Sequence, residues 1–293
     1  MMPKVKNMKL GIIGGSGLYN IGNIDKEEWL KVDTPWGSPS DNLLKCTIEN
    51  KEIIFLPRHG RGHKINPSNI NYRANIDALK QHGVTDIISV SAVGSLKEEH
   101  EPGKFIVVDQ FIDRTFSRKK TFFDDEIVAH VSLAKPICEQ LSEICVDALQ
   151  KLSINFSKSG TYLAMEGPQF STYAESCLYR SWGLDVIGMT NMPEAKLARE
   201  AEIRYATIAM VTDYDCWHSS HEDVDIDMII KTLNKNVDNA KNLIMEIIRN
   251  FKIDETRDYI HTCLDGAIIT DPSMMTKQTK KKLETIAGRV LPK

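Results

Sequence analysis

The chain has 293 residues, 42% hydrophobic and 26% charged, enough to bury one large α/β core or two modest ones. A formal net charge of -3 gives no electrostatic ground for a nucleic-acid partner or an anionic membrane surface. Six cysteines stand without a Cys-x-x-Cys pair, no run is long enough to span a bilayer, and the N-terminus MMPKVKNMKLGIIGG is too short in apolar length for a secretory signal. A reduced, cytoplasmic enzyme is the expectation.

Short apolar runs alternate with helical periodicity, without repeats, low-complexity tracts or Pro/Gly/Ser-rich linkers. That pattern predicts an α/β fold, one domain over 1–293, with a mixed or largely parallel sheet between helices. In such sheets functional groups gather beyond the carboxyl ends of the strands. The first strand, predicted over 9–13, opens into Gly14-Gly-Ser-Gly17, but a dinucleotide fingerprint would need a glycine where Asn20 stands. The turn either offers N–H groups and the Ser16 hydroxyl to a small anion or is simply a tight structural turn. The strand over 53–56 runs into Phe55-Leu-Pro-Arg-His-Gly-Arg-Gly-His63. Arg58 brings a planar fork that matches phosphate, and His59 a further donor. His59 and His63 have the i, i+4 spacing of a metal pair, yet the glycines between them disfavour a helix, so an anion is the better ligand.

A helix predicted over 72–82 precedes a strand over 86–93, where the Ser91 hydroxyl and the Ala92 N–H would complete an oxyanion cradle. A strand over 105–109 and a helix over 134–151 follow; Cys138 and Cys145, among Ile137, Leu141, Ile144 and Leu152, read as small core residues. The strand over 162–165 leads into MEGPQFSTYAE, whose Gly-Pro turn exposes Phe170 as a platform for a heteroaromatic ring. After a helix over 172–182, the strand over 186–189 ends in Met189 and Thr190, a soft wall and a hydroxyl. Beyond a helix over 193–201, the strand over 205–212 breaks off into Asp213-Tyr-Asp215-Cys-Trp217, which carries two carboxylates out of a buried run. His218 and His221 read as solvated loop histidines. In the helix over 225–250, Ile226, Ile229 and Ile230 make an apolar stripe that is either core or pocket. The basic run KQTKKK at 277–282 reads as the solvated face of a C-terminal helix.

Taken in order, GGSG, PRHGRGH, SAVGS, MEGPQFSTYAE, MTNMPEAKLAREA and VTDYDCW resemble the trimeric purine nucleoside phosphorylase family, in its S-methyl-5'-thioadenosine phosphorylase branch, over roughly 9–250. The resemblance implies a mixed, partly barrelled sheet, a homotrimer, and phosphorolysis of an N-glycosidic bond with inorganic phosphate as co-substrate and no metal or organic cofactor. It implies that Ser16, Arg58, His59, Ser91, Ala92 and Thr190 hold phosphate, that Met189 packs on the ribose and Phe170 on the base, and that Ser171, Asp213, Tyr214 and Asp215 meet the purine. His130, lent across the subunit interface, and Ile226, Ile229 and Ile230 would surround the 5' group. Ser16 and Ser91 stand where several members carry threonine, a change that keeps the hydroxyl. The helical extension over 251–293 passes the end of the shorter relatives and receives no role.

The groups themselves support this chemistry. Adenine leaves poorly as an anion, so a proton must reach N7 as phosphate meets an oxocarbenium-like anomeric carbon. Asp213, with its pKa raised by desolvation and by Asp215, is the expected donor. An ionised Asp215, or its neighbour's backbone, would welcome the N6 amino group and repel a 6-oxo group, and the resemblance adds that Ser171 stands where 6-oxopurine branches of the family carry a glutamate. An apolar lining would favour methylthioadenosine over adenosine. The expected reaction yields adenine and 5-methylthioribose 1-phosphate, in purine and methionine salvage. The alternatives are a 6-oxopurine nucleoside phosphorylase, an NAD-dependent oxidoreductase and a non-catalytic nucleoside-binding or scaffold protein.

Overall fold

Leu10-Gly-Ile-Ile-Gly14 carries no charge and is buried at each position, the mark of a strand covered on both faces, and it forms β1 (Leu10–Gly14). The structure, a computed structural model, describes residues 9–15, 25–218, 226–252 and 258–292. The elements that follow are β2 (Asp25–Leu30), β3 (Leu43–Ile48), β4 (Lys51–Pro57), α1 (Tyr72–Gln81), β5 (Asp86–Ser95), β6 (Phe105–Val107) and β7 (Gln110–Asp113). Next come α2 (Glu139–Lys151), β8 (Phe156–Ser157), β9 (Thr161–Ala164), α3 (Tyr173–Ser181), β10 (Val186–Gly188), α4 (Glu194–Glu200) and β11 (Arg204–Asp213). The chain closes with α5 (Ile226–Asn250), α6 (Lys277–Lys282) and α7 (Glu284–Ala287).

The strands form one mixed sheet that is not closed, ordered β2-β3-β4-β1-β5-β10-β9-β7, with β11, β6 and β8 branching from β5. The branch point is β5. Its first residues pair in parallel with β1, its length from Asp86 to Gly94 pairs in parallel with β11, and Gly94 and Ser95 turn to pair antiparallel with β10. The carboxyl ends of β1, β4, β5 and β11 therefore open on one side of the sheet, and β10 brings its own end beside them.

The helices pack where their apolar stripes and caps dictate. Asn71 caps α1 by accepting the Ala74 N–H, and Gly83 at φ +79° lets the chain turn off its end. Thr172 and Glu175 form a reciprocal capping box that starts α3 one residue beyond the Phe170-Ser171 pair. On α5 the buried stripe Ala240, Leu243, Ile244, Ile247 and Ile248 joins the main core. Ile260, Leu264, Leu283, Ile286 and Ala287 join the same core, so the C-terminal segment packs on the domain rather than apart from it. Lys51 closes the far end of α5: its Nζ donates to the carbonyls of Ile248 at 2.6 Å, Arg249 at 3.0 Å and Phe251 at 2.8 Å. Lys51→Met is expected to lower unfolding free energy by about 1–2 kcal/mol, read from urea titration, with no change in activity.

Each strand and helix expected from periodicity is present, with shifted ends. The helix expected from 134 begins only at Glu139, because the Cys138 N–H is held by the Tyr205 carbonyl at 2.9 Å and Cys138 itself stays extended at φ -81° and ψ 114°. Cys138 and Cys145 are buried as core residues. The periodicity reading missed β2, β3, β7 and β8. At the sheet edge β2 exposes Lys26, Glu27 and Glu28, charges that guard a free edge and hide the apolar alternation. Both β7 and β8 are too short to show a period.

Candidate active site

A cavity of about 240 Å³ lies where these strand ends meet, lined by Gly15 after β1, Arg58 and His59 after β4, Val90 to Gly94 on β5, Ile187 and Gly188 on β10 with Met189 and Thr190 just after it, and Met210, Thr212, Asp213 and Asp215 at the end of β11. Phe170, Met165, His63 and Pro67 complete the wall.

At one end stand the two carboxylates. The pairing of β11 with β5 is regular from Arg204 to Val211, and a bulge then sets Asp213 opposite Gly94. Gly94 makes room for this: a Cβ there would lie 2.9 Å from Asp213 Oδ1 and 3.4 Å from Asp215 Cβ. The Asp215 N–H donates to Asp213 Oδ1 at 3.0 Å, a side-chain turn that fixes both residues, with Asp215 at φ +23°. Burial pushes the Asp213 carboxyl up, the Thr212 hydroxyl opposes this and the Asp215 charge adds to it, for a pKa of about 6. Thr212 Oγ1 is 3.1 Å from the Val93 carbonyl and 2.7 Å from Asp213 Oδ2, yet it has one hydrogen to give. With that hydrogen on the carbonyl, Oγ1 offers a lone pair to a proton on Asp213, so the neutral acid is accommodated. Asp215 is also raised, chiefly by burial, and its Oδ2 closes no hydrogen bond among the described residues.

The other end is built on a buried polar network. Arg58 is 1% exposed and gives Nε and Nη2 to the Glu194 carboxylate at 2.8 and 3.1 Å, Nη2 also to Ser89 Oγ, and Nη1 to the Val90 carbonyl at 3.0 Å. Burial works against both charges, and each ion holds the other in its charged form. His59 Nδ1 lies 2.8 Å from the Ile65 carbonyl oxygen, which only accepts, so the ring carries its hydrogen there. Burial pushes its pKa down to about 4, which leaves a neutral ring with a lone pair on Nε2. Ser91 is buried at the cavity, and its Oγ closes no well-formed hydrogen bond among the described residues. Thr190 Oγ1 donates to Asn191 Oδ1 at 3.1 Å, and the Asn191 amide donates onward to Tyr205 Oη at 2.8 Å and to Thr207 Oγ1.

Between the two ends the wall is apolar. Phe170 is 49% exposed at the mouth. Met189 lies against Gly167, where a Cβ would meet its Sδ at 2.5 Å. Hydroxyls and a guanidinium at one end, two carboxylates at the other and an aromatic face at the mouth match a phosphate and a purine nucleoside bound in line.

Residues 9–249 match the Phosphorylase superfamily. The chain belongs to this superfamily. Over 286 residues it is 54% identical to an S-methyl-5'-thioadenosine phosphorylase of Cereibacter sphaeroides, with 96% of this chain and 98% of the relative covered. It is 53% identical to the S-methyl-5'-thioadenosine phosphorylase of Rhodospirillum rubrum, with 96% and 97% covered. Among solved structures, a methylthioadenosine phosphorylase from an Antarctic soil metagenomic library superimposes with a TM-score of 0.90 at 45% identity, covering 96% of this chain and 99% of that one. The Schistosoma mansoni methylthioadenosine phosphorylase in complex with adenine gives 0.81 at 34% identity, with 96% and 98% covered.

Within this superfamily fold, Arg58, His59, Ser91, Ala92, Phe170, Met189, Thr190, Asp213 and Asp215 all line one cavity. Four readings are revised by the geometry. The Arg58 fork faces Glu194, a residue that sequence reasoning left out, and four of its five N–H groups are already bonded within the protein. His59, expected as a donor, is in its neutral state an acceptor at Nε2. Tyr214 does not line the cavity: its Oη donates to the Glu98 carbonyl at 3.1 Å and its ring stacks on His218 at 4.4 Å. That stacking also takes His218 out of the solvated loop expected for it, and its Nε2 lies 3.1 Å from Glu98 Oε2. Ser171 sits behind the cavity wall, buried beside Asp215. His130 is exposed and away from this chain's own cavity, with its N–H on the Ala267 carbonyl. Ser16 and His221 lie outside the described residues, and of Ile226, Ile229 and Ile230 the structure describes only the backbone, in the first turns of α5. Thr212, Gly94 and Met210 were missed; Met210 and Thr212 lie in the run IAMVTD just before the aspartates, and Gly94, in SAVGS, is set across from Asp213 only by the pairing of β11 with β5.

Proposed function

We propose that this protein cleaves S-methyl-5'-thioadenosine with inorganic phosphate to adenine and 5-methylthioribose 1-phosphate. The observation that carries the reading is the paired state of the β11 aspartates: Asp213 with a pKa raised to about 6, beside Asp215 with a buried, unpartnered oxygen among the described residues. A nucleoside entering the cavity excludes further water and raises Asp213 more, so the acid holds its proton until the glycosidic bond stretches. The N9–C1' bond breaks, a phosphate oxygen bonds C1', and adenine leaves with the Asp213 proton on N7; the proton that phosphate loses restores the acid. Asp215 accepts from the N6 amino group and disfavours a 6-oxo group. Ser91, Thr190 and the remaining Arg58 N–H meet the phosphate, with Ser16 in the role that the resemblance gives it.

In this reading no metal or organic cofactor takes part, the working unit is a cytoplasmic homotrimer in which His130 reaches a neighbour's 5' pocket, and the reaction serves purine and methionine salvage. The names and identities of the relatives support the 6-aminopurine over the 6-oxopurine alternative. The test is chromatographic: incubate the protein with methylthioadenosine, adenosine, inosine and methylthioinosine, with and without phosphate, and quantify the free base. Adenine release that needs phosphate and is fastest from methylthioadenosine is expected. Hypoxanthine as the favoured product would overturn the role given to Asp215. Phe170→Ala is expected to raise KM for methylthioadenosine about tenfold through loss of base stacking and to leave KM for phosphate within about twofold.

A further inference from the structure

In the sheet β10 lies between β5 and β9, so a β9 side chain must cross it to reach the hydroxyls that face the cavity. Tyr162 makes that crossing. It pairs with Val186, is fully buried, and passes over Gly188, where a Cβ would collide with its hydroxyl oxygen. Beyond the gap the hydroxyl accepts the Thr190 N–H at 3.3 Å and lies 3.4 Å from Thr190 Oγ1, with Ser91 beside it. Thr190 directs its own hydrogen to Asn191 Oδ1, because the Asn191 amide hydrogens are turned toward Tyr205 and Thr207. Thr190 Oγ1 therefore accepts the Tyr162 hydrogen, and a phosphate beside it draws the Thr190 hydrogen away from Asn191, a charge-assisted bond replacing a neutral one, while Tyr162 keeps the oxygen in place. Tyr162 itself does not line the cavity.

We infer that Tyr162 is a positioning residue for phosphate: through the gap at Gly188 its hydroxyl fixes Thr190 at the anion end of the cavity. The ring fills space as phenylalanine would; the hydrogen bonds to Thr190 come from the hydroxyl. The inference rests on the functional reading above, and its test separates the two. In the wild-type protein adenine release from methylthioadenosine must depend on phosphate, or that reading fails and this one with it. Given that dependence, Tyr162→Phe is expected to raise KM for phosphate by about five- to tenfold, leave KM for methylthioadenosine within about twofold, and recover most of kcat at saturating phosphate. Gly188→Ala, which displaces the hydroxyl with Tyr162 intact, is expected to raise KM for phosphate in the same direction, and it serves if Tyr162→Phe does not fold. A lower melting temperature with both KM values unchanged, or moved together, would make Tyr162 a packing residue and overturn the inference.

Discussion

Asp213→Asn is expected to lower kcat for adenine release by about a hundred- to ten-thousandfold, with a much smaller change in KM, because the amide keeps the shape of the acid and cannot give a proton to N7. Steady-state kinetics at saturating phosphate measure it. The same substitution should make the protein more stable at alkaline pH. The Asp213 pKa is raised to about 6 in the folded protein from the ordinary 3.8, so folding favours its neutral form. The stability this provides is complete below the unfolded pKa and is lost as pH rises through the folded one. At pH 8 the wild type therefore bears the full cost of an ionised, buried Asp213, and Asn removes it; at pH 5 the gain is smaller. Thermal melts of both proteins at the two pH values show it as a rise of a few degrees at pH 8. A variant with near-normal turnover would sink the role of Asp213.

Glu194→Ala is expected to be the most damaging substitution for the fold around the cavity. Arg58 and Glu194 are each 1% exposed, and removing the carboxylate leaves a buried guanidinium charge with no ion beside it. The loss should be about 3–5 kcal/mol, seen as a fall in melting temperature of about 10 °C. Replacing both residues by apolar side chains of similar size should recover much of that stability while leaving phosphate binding impaired, since Arg58 lines the cavity. A double variant that binds phosphate normally would show that the pair serves the fold alone.

Much of the architecture was legible because the apolar strands that end at the cavity are buried on both faces and their runs break off abruptly into polar residues, as in IAMVTDYD. Sequence order also placed the site, because parallel pairing brings the ends of β1, β4, β5 and β11 to one side. What it could not show depends on distance along the chain. The partner of Arg58 lies 136 residues away, and nothing near FLPRHGRGH marks Glu194 as its counter-ion. The reach of Tyr162 requires Gly188 on a neighbouring strand, a complementarity that appears only in the pairing of β9 with β10. Tyr214 sits between the two aspartates; once the bulge after Val211 brings Asp213 to the cavity, alternation turns Tyr214 to the other side, onto His218. The charged strand β2 escaped notice because edge position replaces apolar periodicity there.

The most direct single measurement follows phosphorus by NMR while the protein, methylthioadenosine and inorganic phosphate react. A new sugar 1-phosphate resonance, growing in step with released adenine as inorganic phosphate is consumed, is expected. Adenine appearing while the phosphate signal stays constant would mean that water attacks the sugar, and it would contradict the assignment of the hydroxyl-lined end of the cavity to phosphate.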